Sequence, residues 1–203
     1  MEELKEDLTR KRIIETATKH FLEYGYKKVT MDEIAEALGM SKKTLYQFFP
    51  SKYELFNAIA DEKICYINDY INQVIASQEI NFIDKVHTII KCVSHEHHQM
   101  RPAALLDIQK SVPEIWKKIM DIQKEHIAIK FTKLIEIGKN QGYIRTDIPS
   151  EVITIIYSSA VLTMLNPEVY NNLNLAPSEC FRYAVKVIYE GILTPKGLKE
   201  LNL

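Results

Sequence analysis

The chain has 203 residues and a formal net charge of −1 at pH 7, with 46% hydrophobic and 26% charged residues. This is the composition of an ordinary globular protein, so any binding to nucleic acid must rest on a local basic patch. Cys65, Cys92 and Cys180 are widely spaced, which excludes a C-x-x-C zinc motif and a disulfide framework. The charged N-terminus and the lack of an apolar run of about 18 residues predict a cytoplasmic protein that does not enter the membrane.

Helix signals dominate the chain. No alternating apolar runs are joined by Asn-Gly or Asp-Gly, so the sequence does not predict β-hairpins. Capping boxes, in which a hydroxyl and a glutamate three residues later satisfy helix N–H groups, occur at Thr30–Glu33, Ser51–Glu54 and Ser111–Glu114. We therefore predict an all-α protein of about nine helices, at 8–24, 31–38, 42–48, 51–76, 81–98, 101–110, 113–140, 149–166 and 177–192.

Two short predicted helices, 31–38 and 42–48, lie on either side of Gly39. Glycine readily adopts the left-handed conformation that a tight turn between helices needs, and the spacing is that of a helix-turn-helix. Ile34 and Leu45 would face the core. The opposite face of the second helix carries polar side chains, and no acidic residue lies on it. We predict a three-helix DNA-binding domain over residues 1–50.

The polar face has the chemistry of DNA recognition. In this motif the second helix enters the major groove, where lysine can donate to guanine and glutamine can pair with adenine. Residues 9–52 carry a local net charge of about +4. The alternative is a solvated helix face in an ordinary bundle. The predicted DNA-contacting residues are Thr30, Ser41, Lys42, Lys43, Thr44, Tyr46, Gln47 and Lys52.

The segment from about Arg10 to Phe56 resembles the DNA-binding domain of the TetR family of bacterial transcriptional regulators. The resemblance rests on F-x-x-x-G-Y at Phe21–Tyr26, on V-T-M-D-E-I-A, and on G-M-S-K-K-T-L-Y-Q-F-F-P-S-K-Y-E-L-F. It implies DNA contacts at Thr30, Lys42, Thr44, Tyr46, Gln47 and Lys52. Lys43 and Gln47 depart from the commoner family pattern, which we expect to alter the operator sequence.

The resemblance also implies a larger helical domain, here residues 51–203, that senses a ligand and dimerises. The expected protein is a homodimer on near-palindromic double-stranded operator DNA, with repression as the family default and release by a small-molecule effector. Two strongly apolar helices could supply the dimer interface, or they could form the core of one chain. The predicted interface residues are Ile153, Ile156, Ala160, Met164, Phe181, Val185, Ile188 and Tyr189.

A sensor pocket is predicted from aromatic and sulfur-containing side chains of the second domain, which would suit a hydrophobic ligand. A lone tryptophan in a helical domain is more often part of the core, which is the alternative interpretation of Trp116. The predicted pocket residues are Leu105, Trp116, Met120, His126, Tyr157 and Met164.

Other functions have less support. His95, His97 and His98 could suggest a metal site, but a polar helix end explains them better, because a closed site needs more ligands at defined spacing. No G-x-S-x-G, P-loop, H-E-x-x-H or Gly-rich dinucleotide loop is present, so no enzyme, cofactor or metal is predicted. The remaining alternative is a helical adaptor protein that keeps the helix-turn-helix without sensing a small molecule.

Overall fold

The computed structural model describes residues 2–98, 101–164, 166–173 and 175–201. Within these ranges the chain forms eleven helices and no strand, which confirms the predicted all-α class. Two short helices that were not predicted, Pro167–Leu173 and Pro195–Glu200, each begin at a proline. The helices are α1 (Glu2–Tyr24), α2 (Met31–Leu38), α3 (Lys42–Phe48), α4 (Lys52–Ala76), α5 (Phe82–His98), α6 (Pro102–Ser111), α7 (Pro113–Asn140), α8 (Ser150–Met164), α9 (Pro167–Leu173), α10 (Pro177–Ile192) and α11 (Pro195–Glu200).

The internal contacts divide the chain into two compact units. Unit 1 comprises Met1–Cys65 and Met100–Ile119, and unit 2 comprises Tyr66–Gln99 and Met120–Leu203. This division differs from the boundary predicted at residue 50, because α4 and α7 each run from one unit into the other and α6 belongs to unit 1. The assignment of separate DNA-binding and sensing domains stays a prediction.

Unit 1 is built around the apolar faces of its N-terminal helices. Phe21 of α1 meets the ring of Phe56 edge-on, with 5.1 Å between the ring centroids. Burial of such side chains is the main force that holds short helices, which are unstable alone, in place. The buried side chains from α1 to the start of α4 include Ile13, Ala17, Phe21, Ile34, Ala35, Leu45, Leu55 and Phe56.

Unit 2 has a second core, in which aromatic rings stack. Phe131 of α7 lies parallel to Tyr157 of α8, with 3.5 Å between the ring centroids, and Phe82 of α5 stacks on Tyr143 at 5.3 Å. Burial raises the pKa of the Tyr157 hydroxyl above its ordinary value. The core draws on α5, α7, α8 and α10 through Phe82, Val86, Phe131, Ile135, Ile153, Val161, Phe181 and Val185.

A buried lysine caps the C-terminal end of α4. Lys85 of α5 is 4% exposed, and its ammonium donates hydrogen bonds to the carbonyls of Val74 at 2.9 Å, Ile75 at 2.7 Å and Ser77. The last carbonyls of a helix have no partner within the helix and carry its negative dipole end, so a cation there is favourable. Burial lowers the pKa of Lys85 below that of a free lysine. This contact ties α5 to the end of α4 within unit 2.

Over the described ranges, each helix is either too short or too polar to cross a bilayer.

Candidate DNA-binding surface

The first helix of the motif, α2, begins at the predicted capping box. The Glu33 amide donates to the Thr30 hydroxyl at 3.2 Å, and the Thr30 amide donates to the Glu33 carboxylate at 2.8 Å. These hydrogen bonds lower the pKa of Glu33 below its ordinary value. Thr30 is exposed at this capped helix start, where free N–H groups and the helix dipole favour an anion such as a phosphate.

The turn between α2 and α3 has the predicted left-handed glycine. Gly39 has a φ of 64°, and its amide donates to the Glu36 carbonyl at 3.0 Å. Ser41 then caps α3 by accepting from the Thr44 amide at 3.1 Å. Leu45 is fully buried and anchors α3 to the rest of unit 1. The sequence thus determines this local geometry through its caps, its glycine and one anchoring side chain.

The outer face of α3 is accessible as predicted. Lys42, Lys43 and Gln47 are exposed, and Tyr46 is 46% exposed although it is a large aromatic residue. Because Leu45 faces inward, these four side chains point away from the core, where they could reach groove edges and phosphates. Their role as DNA contacts stays a prediction.

One acidic side chain reaches this surface, contrary to the expectation of a face without acids. Lys42 donates to the carboxylate of Asp32 of α2 at 2.6 Å, and both side chains are more than half exposed. The hydrogen bond to Asp32 raises the pKa of Lys42. The sequence does not predict this pair, because an acid in the first turn of α2 is already explained by the helix dipole and the approach of Asp32 to Lys42 depends on how the helices cross.

Lys52, predicted to meet a phosphate, also has a structural role. Its ammonium donates to the carbonyls of Tyr26 and Val29, each at 3.0 Å, and lies 4.3 Å from the centroid of the Tyr26 ring. Burial lowers its pKa. An ammonium has three donors, so one remains for a phosphate. The Lys52 side chain thus stabilises the turn before α2.

The predicted pocket residues fall in both units. Leu105 and Trp116 lie in unit 1, where Leu105 is buried, and Met120, His126, Tyr157 and Met164 lie in unit 2. His126 lies next to Asn68, whose amide nitrogen is 2.5 Å from the histidine Nδ1. Burial lowers the pKa of His126. The pocket stays a prediction.

The predicted dimer residues mostly face inward. Ile153, Phe181, Val185, Ile188 and Tyr189 lie in the core of unit 2, which is the alternative that the sequence left open. They cannot offer a surface to a partner, because the helices of their own unit cover them. Ala160 and Met164 are partly exposed, and Ile156 is 57% exposed. The other exposed apolar residues on the same two helices are Val152, Ile155, Tyr183 and Val187.

The histidine cluster at the end of α5 is only partly described. The side chains of His97 and His98 lie outside the described residues. Among the residues that the structure describes, no group of three or more His, Cys, Asp or Glu side chains is placed to hold a metal ion. The prediction of a protein without a metal therefore stays a prediction.

Comparison with known proteins identifies the motif. Residues 13–59 match the model of the family described as bacterial regulatory proteins, tetR family. The chain is 25% identical over 182 residues to the HTH-type transcriptional regulator YvaF of Bacillus subtilis, covering 90% of this chain and 94% of YvaF. It is also 24% identical over 151 residues to the HTH-type transcriptional repressor AcnR of Corynebacterium efficiens, covering 71% of this chain and 73% of AcnR.

The fold of the chain is also similar to that of a solved regulatory protein. The regulatory protein TetR of Rhodobacter sphaeroides has a similar structure, with a TM-score of 0.68 and 14% identity over 90% of this chain and 97% of that one. The matched segment includes the capped helices, the left-handed glycine and α3 with its exposed polar face. Both of these relatives, YvaF and AcnR, are named as HTH-type regulators of transcription. Residues 13–59 therefore carry the helix-turn-helix of the tetR family of bacterial regulatory proteins, and over most of its length the chain is similar to transcriptional regulators.

Proposed function

We propose that the protein is a homodimeric repressor in the bacterial cytoplasm that binds a near-palindromic operator and is released by a small molecule. The observation that carries the DNA-binding part is the outer face of α3, where Lys43, Tyr46 and Gln47 are exposed on a helix anchored by Leu45. A dimer would place two such helices about 34 Å apart on one side of the duplex, one helical turn apart. The repressor role is supported by the similarity to AcnR, which is a repressor by name.

A titration of duplex DNA at several salt concentrations tests the interface. The duplex is one enriched from a random library by the wild-type protein, called the selected duplex below. Lys43→Ala should flatten the plot of log affinity against log salt by roughly 0.9 for each lost phosphate contact, or about 2 for two subunits. Tyr46→Ala should weaken binding about tenfold or more through lost groove contacts.

Lys91→Ala is the matched control, since this lysine is also exposed but lies on α5 in unit 2. It should leave both the affinity and the slope unchanged. A protein that enriches no duplex from the library, even in dilute buffer, would instead favour the adaptor alternative.

For the dimer we propose the exposed apolar face of α8 and α10, which differs from most of the residues predicted from sequence. Val152, Ile155 and Ile156 recur at helical spacing on α8, and Tyr183 and Val187 are one turn apart on α10. Ile155 is 64% exposed and Val187 is 71% exposed. The two helices pack against each other in unit 2. Several large apolar side chains in contact with water on neighbouring helices are typical of an interaction surface.

Val187→Glu tests this face by placing a charge at its most exposed apolar position. Analytical ultracentrifugation should show dimers for the wild type and monomers for the variant at micromolar concentration, because burying an unpaired charge is strongly unfavourable. Ile129→Glu is the control, since Ile129 is an exposed apolar residue of the same unit on α7. A Val187→Glu protein that stays dimeric would rule out this face.

The effector site is proposed within unit 2, where four of the six predicted pocket residues lie. Tyr157 stacks on Phe131, and His126 is tied to Asn68 of α4, so aromatic and polar side chains come from helices of one unit. The native protein would be extracted with organic solvent and the extract analysed by mass spectrometry. Compounds recovered there should release the protein from the selected duplex. Tyr157→Ala should bind DNA but respond more weakly, whereas an equal response in wild type and variant would exclude this site.

A further inference from the structure

The turn that joins α1 to α2 is held by a side chain from far along the chain. The backbone amide of Lys27 donates a 2.7 Å hydrogen bond to a carboxylate oxygen of Asp107 of α6. The other carboxylate oxygen accepts from the Ser111 hydroxyl at 3.2 Å, which fixes the orientation of the Asp107 side chain. All three residues belong to unit 1.

The packing at this contact is close enough to require glycine. Gly25 is buried and has a φ of 85°, and a methyl group added to it would lie 2.7 Å from the Asp107 carboxylate. Beside it, Arg101 lies 3.7 Å from the carboxylate of Glu23 near the end of α1. The absence of a side chain at Gly25 therefore allows α6 to reach the backbone of the turn.

Lys52, the first residue of α4, also binds the backbone of this turn. Lys52 binds the carbonyls of Tyr26 and Val29, so an acid on α6 holds an N–H group of the turn while a base on α4 holds two of its carbonyls. Thr30, the N-cap residue of α2, directly follows Val29. A turn held at three backbone groups leaves α2 little freedom to change direction, and α3 follows α2 through the short Gly39 turn.

We propose that Asp107 is a positioning residue for DNA binding: by holding the Gly25–Lys27 turn, α6 completes the DNA-binding unit and sets the direction in which α2 and α3 meet DNA. Asp107 lies outside residues 13–59, which carry the family match, and 80 positions along the chain from its partner. The proposed role needs no contact between Asp107 and DNA. It acts through the turn.

This role reverses the usual electrostatic expectation. Removing a carboxylate from a DNA-binding protein normally strengthens binding, because one repulsion of phosphates is lost. If Asp107 positions the turn, Asp107→Ala should instead weaken binding to the selected duplex about tenfold. Asp107→Asn keeps an oxygen acceptor for the Lys27 amide and should restore affinity to within about threefold of wild type.

Affinity for an unrelated duplex separates positioning from general damage. Non-specific binding is mostly electrostatic and tolerates small changes of direction, so Asp107→Ala should lose specific affinity while its non-specific affinity is equal or higher. A parallel loss in both affinities, or a folded Asp107→Ala protein that binds the selected duplex as tightly as wild type, would overturn the proposal. Since Lys27 is exposed, water can replace the lost acceptor and the variant should fold.

Two further variants keep the test decisive. The added methyl group of Gly25→Ala would clash with the Asp107 carboxylate. Gly142 of unit 2 has a similar φ of 75°, but a methyl group added there would have no atom within 4 Å, so Gly142→Ala adds only backbone strain. Only Gly25→Ala should weaken specific binding. Should Asp107→Ala not fold, Ser111→Ala loosens the carboxylate, and hydrogen exchange at the Lys27 amide should then speed up together with a loss of specific affinity. Unchanged exchange and affinity in that variant would refute the proposal.

Discussion

Neutralising Asp32 should strengthen DNA binding, because the proposed DNA-contacting Lys42 is held by this acid in the free protein. The ammonium of Lys42 lies 2.6 Å from the Asp32 carboxylate, at the edge of the surface that the proposed complex places against DNA. A phosphate that binds Lys42 has to take it from Asp32, and the carboxylate then faces the DNA backbone. Asp32→Asn preserves the shape of the side chain but removes its charge.

The expected size of the effect follows from the exposure of the pair. Both side chains are more than half exposed, and ion pairs of this kind shift an equilibrium by only about 1.4- to 5-fold. Releasing one pair in each subunit of a dimer multiplies the gain, so the affinity for the selected duplex should rise roughly 2- to 30-fold. Added salt should reduce the gain, since it screens exposed charges.

Fluorescence anisotropy with the labelled selected duplex measures this change, and Glu36→Gln provides the control. Glu36 is an exposed acid on the same helix, so its neutralisation reports the general effect of removing one negative charge near DNA. The excess gain of Asp32→Asn over Glu36→Gln isolates the ion pair. Equal gains in the two variants would mean that Lys42 is not released on binding, and weaker binding by Asp32→Asn would refute the reasoning altogether.

Three further predictions concern unit 2. Lys85→Met leaves helix-end carbonyls without their donor and should lower the free energy of unfolding by about 2–4 kcal/mol in urea titrations, whereas Lys91→Met, an exposed lysine of the same helix, should change it little. Burial lowers the pKa of Lys130 to about 8, so between about pH 8 and 10.4 the unfolded chain binds more protons than the folded chain. The free energy of unfolding of the wild type, relative to that of Lys130→Met, should therefore rise with pH in that range. A difference that does not change with pH would contradict the lowered pKa of Lys130. Gly138→Ala places a methyl group 2.7 Å from neighbouring side chains and should lower the free energy of unfolding by about 1–3 kcal/mol. A methyl group added at Gly191 has no atom within 4 Å, so Gly191→Ala should leave the stability of the protein unchanged or slightly raised. Thermal melting followed by circular dichroism measures both changes.

Unit 1 of the structure extends beyond the motif that the sequence indicates. The predicted boundary at residue 50 follows the helix-turn-helix, yet α6 packs on α1 and lies with the start of α7 in the same compact unit. Tyr53 of α4 also donates to Glu114 of α7 at 3.3 Å. A fragment that ends soon after α3 would lack these contacts.

The sequence alone determined the features that depend on neighbouring residues. The capping box at Thr30, the left-handed Gly39 and the inward-facing Leu45 are read from residue type and spacing within one or two helical turns, where local hydrogen bonding and helical periodicity decide the structure. The exposed polar face of α3 follows directly from them.

Only the tertiary structure decided which surfaces those helices share. On α8 the apolar residues extend around most of the helix, so periodicity could not separate the buried Ile153 from the exposed Ile155. Asp32 meets Lys42 across a helix crossing, and Asp107 meets Lys27 over 80 positions of sequence. Such contacts are set by how whole helices pack, and no local pattern of residues records the packing.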